Sequence, residues 1–143
     1  LFGWRAAPES APVDEAPGDG PLPYRLRDDF LSPAELSFYR VLRTVVADRG
    51  IVCPKVNLAD LFFVPGRDGQ SHRNRIDRKH VDFVVCDPAT LRPVAGIELD
   101  DSSHARAERQ QRDAFVERVF AAARLPLVRV PVRAAYAPAE LAE

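Results

Sequence analysis

Two apolar runs either side of one turn constrain this chain more than any other feature. "HVDFVVC" (His80 to Cys86) and "VAGIEL" (Val94 to Leu99) flank the turn-forming Asp87-Pro88-Ala89-Thr90. This pattern predicts two adjacent strands in a hairpin. Side chains alternate faces along a strand. Val81, Phe83 and Val85, with Ala95, Ile97 and Leu99, therefore make one wholly apolar face, expected to pack on the core. The other face carries His80, Asp82, Val84 and Cys86, then Val94, Gly96, Glu98 and Asp100. It is apolar near the turn and polar at the far end. If Cys86 pairs with Val94, Asp82 falls opposite Glu98 and His80 opposite Asp100. Directly opposed Cβ atoms lie about 4.5–5.5 Å apart, a spacing at which two carboxylates repel unless something positive lies between them. A slip of one residue would send Asp82 to the opposite face from Glu98.

The rest of the chain supplies a frame for that hairpin. "LSPAELSFYRVLRTVVADRG" reads as an amphipathic helix, with Ser32 as N-cap, Pro33 in the first turn and Glu35 completing a Ser-x-x-Glu capping box. Leu36, Tyr39, Val41, Leu42, Val45 and Val46 form its expected apolar face, and Gly50 its stop. "IVCPKV" is a short strand, "NLADLFFV" a short helix or extended segment, and "PGRDGQSHRNRIDRKH" a polar, basic loop. A long helix is expected from about His104 to Arg124, with Phe115, Val116, Val119, Phe120 and Ala123 as its buried stripe. "LPLVRVPV" is the last strand. The element order is α-β-β-β-α-β, an α/β fold with a mixed central sheet flanked by helices.

With 143 residues, 46% hydrophobic and 29% charged, the chain suits one globular domain with a real core. Residues 1–23 hold five prolines and three glycines without apolar periodicity and read as a flexible linker, leaving residues 24–143 as the domain. A net charge of −1 advertises no global attraction to nucleic acid, so any such contact must come from a local patch. Cys53 and Cys86 lie in apolar runs outside any paired metal-ligand spacing, which suits reduced thiols in the cytoplasm. The absence of methionine marks the chain as a piece of a longer protein, and the opening "LFGWR" is compatible with the end of an upstream membrane anchor.

Each acid at the junction has an ordinary reading beside the chemical one. Asp101, with Ser102 or Ser103, can simply cap the long helix, and Asp100 can do the same. Asp82 can pair with Arg78 or Lys79. Glu98 is hardest to dismiss, because it stands inside an apolar strand between Ile97 and Leu99.

At these residues the chain resembles the PD-(D/E)xK, or restriction-endonuclease-like, nuclease superfamily, whose pattern is an Asp on the second core strand and an acid-x-Lys on the third. Asp82 and Glu98 match the two acids. "IELDDSSH" and "RDAFVERVFAAARLPLVRV" are similar to branches related to very-short-patch-repair endonucleases, in which Glu-x-Asp is followed by small residues and a His. The nearest likeness is to an uncharacterised bacterial domain family, over roughly Leu22 to Ala142. The resemblance implies a core of restriction-endonuclease type and phosphodiester hydrolysis in DNA, in repair or defence. It also implies Mg²⁺ or Mn²⁺ held by Asp82, Glu98 and Asp100, and catalysis by these three with His104. One departure stands out: the lysine position two residues after the second acid is Asp100. Asp100 and His104 taking over its work, Lys79 migrating in, and an inactive fold member acting as a nucleic-acid-binding or protein-interaction module are the alternatives.

Mg²⁺ needs one or two carboxylates beside phosphate and water oxygens. His104, with an ordinary imidazole pKa near 6.5, suits a general acid or base, though a lone His near a helix start is as readily a solvated cap. Arg75, Arg78 and Lys79 of the basic segment, and Arg109 and Arg112 of the long helix, are the candidate phosphate contacts. Arg109 also has Asp113 four residues on, the spacing of a plain intrahelical pair. No aromatic residue interleaves the basic run, against a dedicated single-strand binder. Other enzyme classes lack their marks: there is no Gly-rich phosphate loop and no Gly-x-Ser-x-Gly elbow.

Overall fold

Ser32 starts the first helix as its sequence requires. In the computed structural model, its Oγ accepts the Glu35 N–H (3.2 Å) and Glu35 Oε2 accepts the Ser32 N–H (2.6 Å), closing the capping box with Pro33 at the first helical position. The structure describes residues 21–67, 69–100, 107–133 and 136, and of residues 107–112 only the backbone. The chain divides into two units, Leu1–Phe30 and Leu31–Glu143. In the first unit, the described residues 21–30 form no helix or strand, and Arg27 pairs with Asp29 at 3.2 Å.

In the second unit, helix α1 (Pro33–Val46) buries Phe38 and Leu42, four residues apart on one stripe. The sequence pattern predicts Leu36 on this stripe and does not single out Phe38. Leu36 is exposed because it sits about half a turn around the helix from Phe38. The helix ends at Ala47, in the left-handed region (φ 50°), before Gly50. A Cβ at Gly50 would stand 2.9 Å from both Val46 and Val85, so only glycine lets strand and helix approach here.

The remaining elements are β1 (Ile51–Asn57), α2 (Leu58–Leu61), α3 (Gly69–Ile76), β2 (His80–Cys86), β3 (Pro93–Asp100), α4 (Ala107–Ala122) and β4 (Leu127–Pro131). The expected α-β-β-β-α-β order is present, with two short helices between β1 and β2. The segment read as a basic loop contains helix α3. The start expected for α4, at His104, lies outside the described residues. Strands run in the order β1-β2-β3-β4, antiparallel through the first three, with β4 parallel to β3. The result is a mixed α/β arrangement with a four-stranded mixed sheet flanked by helices.

Each sheet face has its own core. Phe38 and Leu42 of α1 pack with Phe83, Ile97 and Tyr136 on one side. Leu58, Ile76, Val116 and Phe120 pack with Val81, Val84 and Cys86 on the other. Val81 is therefore not on the face with Phe83 that simple alternation predicts. The switch occurs at Asp82, whose register neighbour on β1, Lys55, has φ 51°. Such a left-handed residue breaks the pleat of an extended strand. On β1, Cys53 and Val56 also share one side, although they are three residues apart. Near the turn, Cys86 pairs with Pro93 rather than Val94 across a bulge, but Val85↔Ala95, Val84↔Gly96 and Phe83↔Ile97 keep the predicted register towards the acids.

Gly96 is required by close approach: a Cβ there would stand 2.8 Å from Phe120 Cζ. Cys53 and Cys86 are free, and burial pushes the Cys86 thiol up. No helix among the described residues is long and apolar enough to cross a membrane.

Candidate functional site

Strands β2 and β3 bring Asp82 and Glu98 together beyond the last ladder pair, Phe83↔Ile97. Asp82 Oδ2 accepts the Leu99 N–H at 2.7 Å, so the side chain takes the place of a backbone acceptor and its carboxyl is held against β3. Burial is the main force pushing Glu98 up to about 8; the neighbouring Asp82 carboxyl adds to it, and Arg129 opposes it. Burial also raises Asp82, while the Leu99 N–H, the neighbouring Glu98 and Lys55 pull it back. Near neutral pH Glu98 thus holds a proton.

Glu35 and Lys55, neither picked as a site residue from the sequence, act on Asp82. Glu35, read there only as part of a capping box, sits on α1, and its charge raises Asp82. Lys55 lies on β1 between the pairs Pro54↔Phe83 and Val56↔Val81, in register with Asp82. Its Nζ is 3.4 Å from Glu35 Oε2. A visible signal existed: a proline and a lone cation interrupt an otherwise apolar strand.

On the β4 side, Arg129 is the register partner of Glu98. Its guanidinium binds Asp100 (2.6 Å) and Glu117 (2.7 Å), with Asp113 at 3.9 Å. Asp100 is therefore engaged by a cation rather than joined to the Asp82–Glu98 pair. Among the described residues, no group of three His, Cys, Asp or Glu side chains is placed to hold a metal.

The basic candidates divide. The Arg75 guanidinium lies 4.3 Å above the Phe115 ring of α4 and the Lys79 ammonium 5.6 Å from its centre, so both are drawn to one aromatic face. Arg78 is exposed in the turn after α3. Arg109 and Arg112 belong to α4, but their side chains lie outside the description, and His104 lies outside the described residues.

The arrangement is a half-buried carboxyl pair whose Glu98 is pushed up to about 8, flanked by Lys55 on β1 and Arg129 on β4, in a mixed α/β domain. Such a pair can exchange a proton or receive a divalent cation in its place. Residues 27–143 match the family model described as protein of unknown function (DUF2726), and the chain belongs to that family. No curated protein and no solved structure matches it.

Proposed function

We propose that this domain is a Mg²⁺- or Mn²⁺-dependent nuclease of the PD-(D/E)xK, restriction-endonuclease-like class, hydrolysing phosphodiester bonds in DNA. The observation that carries the proposal is the Asp82–Glu98 pair at the polar end of the hairpin. The element order and the parallel last strand support the class.

The donor set fits a small hard cation. Two oxygen ligands from the protein suffice for Mg²⁺, which keeps several waters and takes substrate phosphate oxygens. Asp82 and Glu98 would hold it, and when bound it would polarise the phosphate and acidify a coordinated water. Glu98 must give up its proton to serve as a ligand, so binding near neutral pH releases protons. The Leu99 N–H keeps Asp82 oriented throughout. Lys55 supplies the positive charge beside the acids that Asp100 cannot supply from the lysine position. Its ammonium neutralises charge on the phosphoryl oxygens or the attacking water. Asp100, engaged by Arg129, positions that arginine between β3 and α4.

A binding-only reading draws on two observations: the missing acid-x-Lys lysine and the engagement of Asp100 by Arg129. The test is cleavage of plasmid, linear and single-stranded DNA with Mg²⁺, Mn²⁺ or EDTA, comparing wild type with Glu98→Gln and Asp82→Asn. Metal-dependent cutting that both substitutions abolish is the expected result. Salt-sensitive DNA binding without cutting would move the domain to the binding-only class. Neither binding nor cutting would remove nucleic acid from its function.

A further inference from the structure

A groove of about 810 Å³ opens on the α4 side of the sheet, between the end of α4, helix α3 and the segment after α2. Phe63, Phe115 and Val119 are among its apolar walls. Its charged or titratable lining side chains are His72, Arg92 and Arg124, and no carboxylate lines it. The size lies within the range of small-molecule sites, which are mostly apolar with a few fixed polar groups. Phe63, one of the lining residues, is 87% exposed.

The backbone beneath the two arginines adds a separate observation. Helix α4 ends with the Leu125 N–H bonded to Phe120 O (3.0 Å) and the Arg124 N–H bonded to Ala121 O (3.1 Å). This is a Schellman ending, with Arg124 at the left-handed position (φ 56°) usually given to glycine. Leu91, immediately before Arg92, is also left-handed (φ 58°). The Arg124 guanidinium is thus carried to the groove by backbone that most side chains disfavour, and Arg92 directly follows such a residue. A cation near the end of α4 also suits the helix dipole, but that effect does not require the left-handed position itself.

We propose that this groove is a binding site for a small apolar organic acid, its ring or chain against Phe63, Phe115 and Val119 and its anionic group between Arg92 and Arg124. Apolar walls, two guanidinium groups and no acid make the groove complementary in charge to such a molecule. The site is independent of the nuclease proposal, because it uses neither Asp82 nor Glu98.

Two fluorescent probes test it on the whole chain: anionic 1-anilinonaphthalene-8-sulfonate and its uncharged analogue N-phenyl-1-naphthylamine. The expected result is saturable one-site binding with the anion preferred. Arg124→Gly should weaken the anionic probe about tenfold, as expected for a lost charged hydrogen bond. It should leave the neutral probe unchanged and the melting temperature unchanged or higher, since glycine suits the left-handed position. Ala122→Trp, which fills the groove from α4, should abolish binding of both probes. The proposal is overturned by any of four results: no saturable binding by the native chain, equal affinity for the two probes, undiminished binding to Ala122→Trp, or weakening in Arg124→Gly only alongside a lower melting temperature.

Discussion

Replacing Glu98 with glutamine should remove most of the pH dependence of stability between pH 5 and 9. Glu98 titrates at about 8 in the folded domain against an ordinary 4.5. Between those values the folded chain holds a proton that the unfolded chain has lost, so stability falls as pH rises. The contribution is fully present below pH 4.5 and is lost as pH passes through about 8. At 1.36 kcal/mol per pH unit the shift sets an upper limit of about 5 kcal/mol. Glu98 is only half-buried, and solvent screening reduces this to about 2 kcal/mol. Burial also raises Asp82 from its ordinary 3.8.

The Glu98→Gln amide keeps a donor for Asp82 without a titrating proton, so the variant should match wild type at pH 5. At pH 9 it should be about 2 kcal/mol more stable. Urea denaturation in EDTA at pH 5, 7 and 9 measures both proteins, with equal slopes in urea required for the comparison. Repeating the pH 9 series with Mg²⁺ should recover stability in wild type only, because cation replaces proton between the two carboxylates. A Glu98→Gln protein that loses as much stability as wild type across this range would refute the assignment of this titration to Glu98.

Gly96→Ala should cost about 2 kcal/mol in urea denaturation, because its Cβ displaces the Phe120 ring from the sheet. Lys55→Gly should stay within about 1 kcal/mol of wild type, since relief of the left-handed backbone offsets the lost Glu35 pair, yet it should abolish metal-dependent cutting. Arg129→Gln leaves Asp100, Glu117 and Asp113 without their shared cation and should cost about 2 kcal/mol. It should also move the Glu98 titration, followed by carboxyl NMR, further upward, because Arg129 opposes the shift in the folded domain.

Much of the frame was legible from local rules. The α1 capping box needs only Ser32, Pro33 and Glu35, and the hairpin follows from two apolar runs about one turn. The Asp82–Glu98 juxtaposition was also legible, because the bulge at Cys86 lies between the turn and the acids and leaves the register beyond it intact. Long-range partners were not. Nothing within a few residues of Lys55 announces that it meets Glu35, twenty positions earlier, or acts on Asp82. Arg129 looked like one arginine in an apolar strand, and its three carboxylate neighbours come from β3 and α4. The basic segment misled for a different reason: α3 has little apolar periodicity and buries only Gly69 and Ile76, so tertiary packing rather than pattern decides its state. The strand alternation failed at Val81 because the break originates in Lys55, on the neighbouring strand.

The interruption of β1 also bears on how this molecule lives among its own copies. β1 is an outer strand of the sheet, and an uninterrupted outer strand is a template onto which another chain can add. Pro54 offers no N–H to an incoming strand, and the left-handed turn at Lys55 takes the next residue out of the extended line. Only Ile51–Cys53 precedes this break on the strand. One dipeptide thus brings positive charge beside the acid pair and discourages sheet-to-sheet association. A straightened β1, whatever it did to the chemistry, would leave a stickier protein.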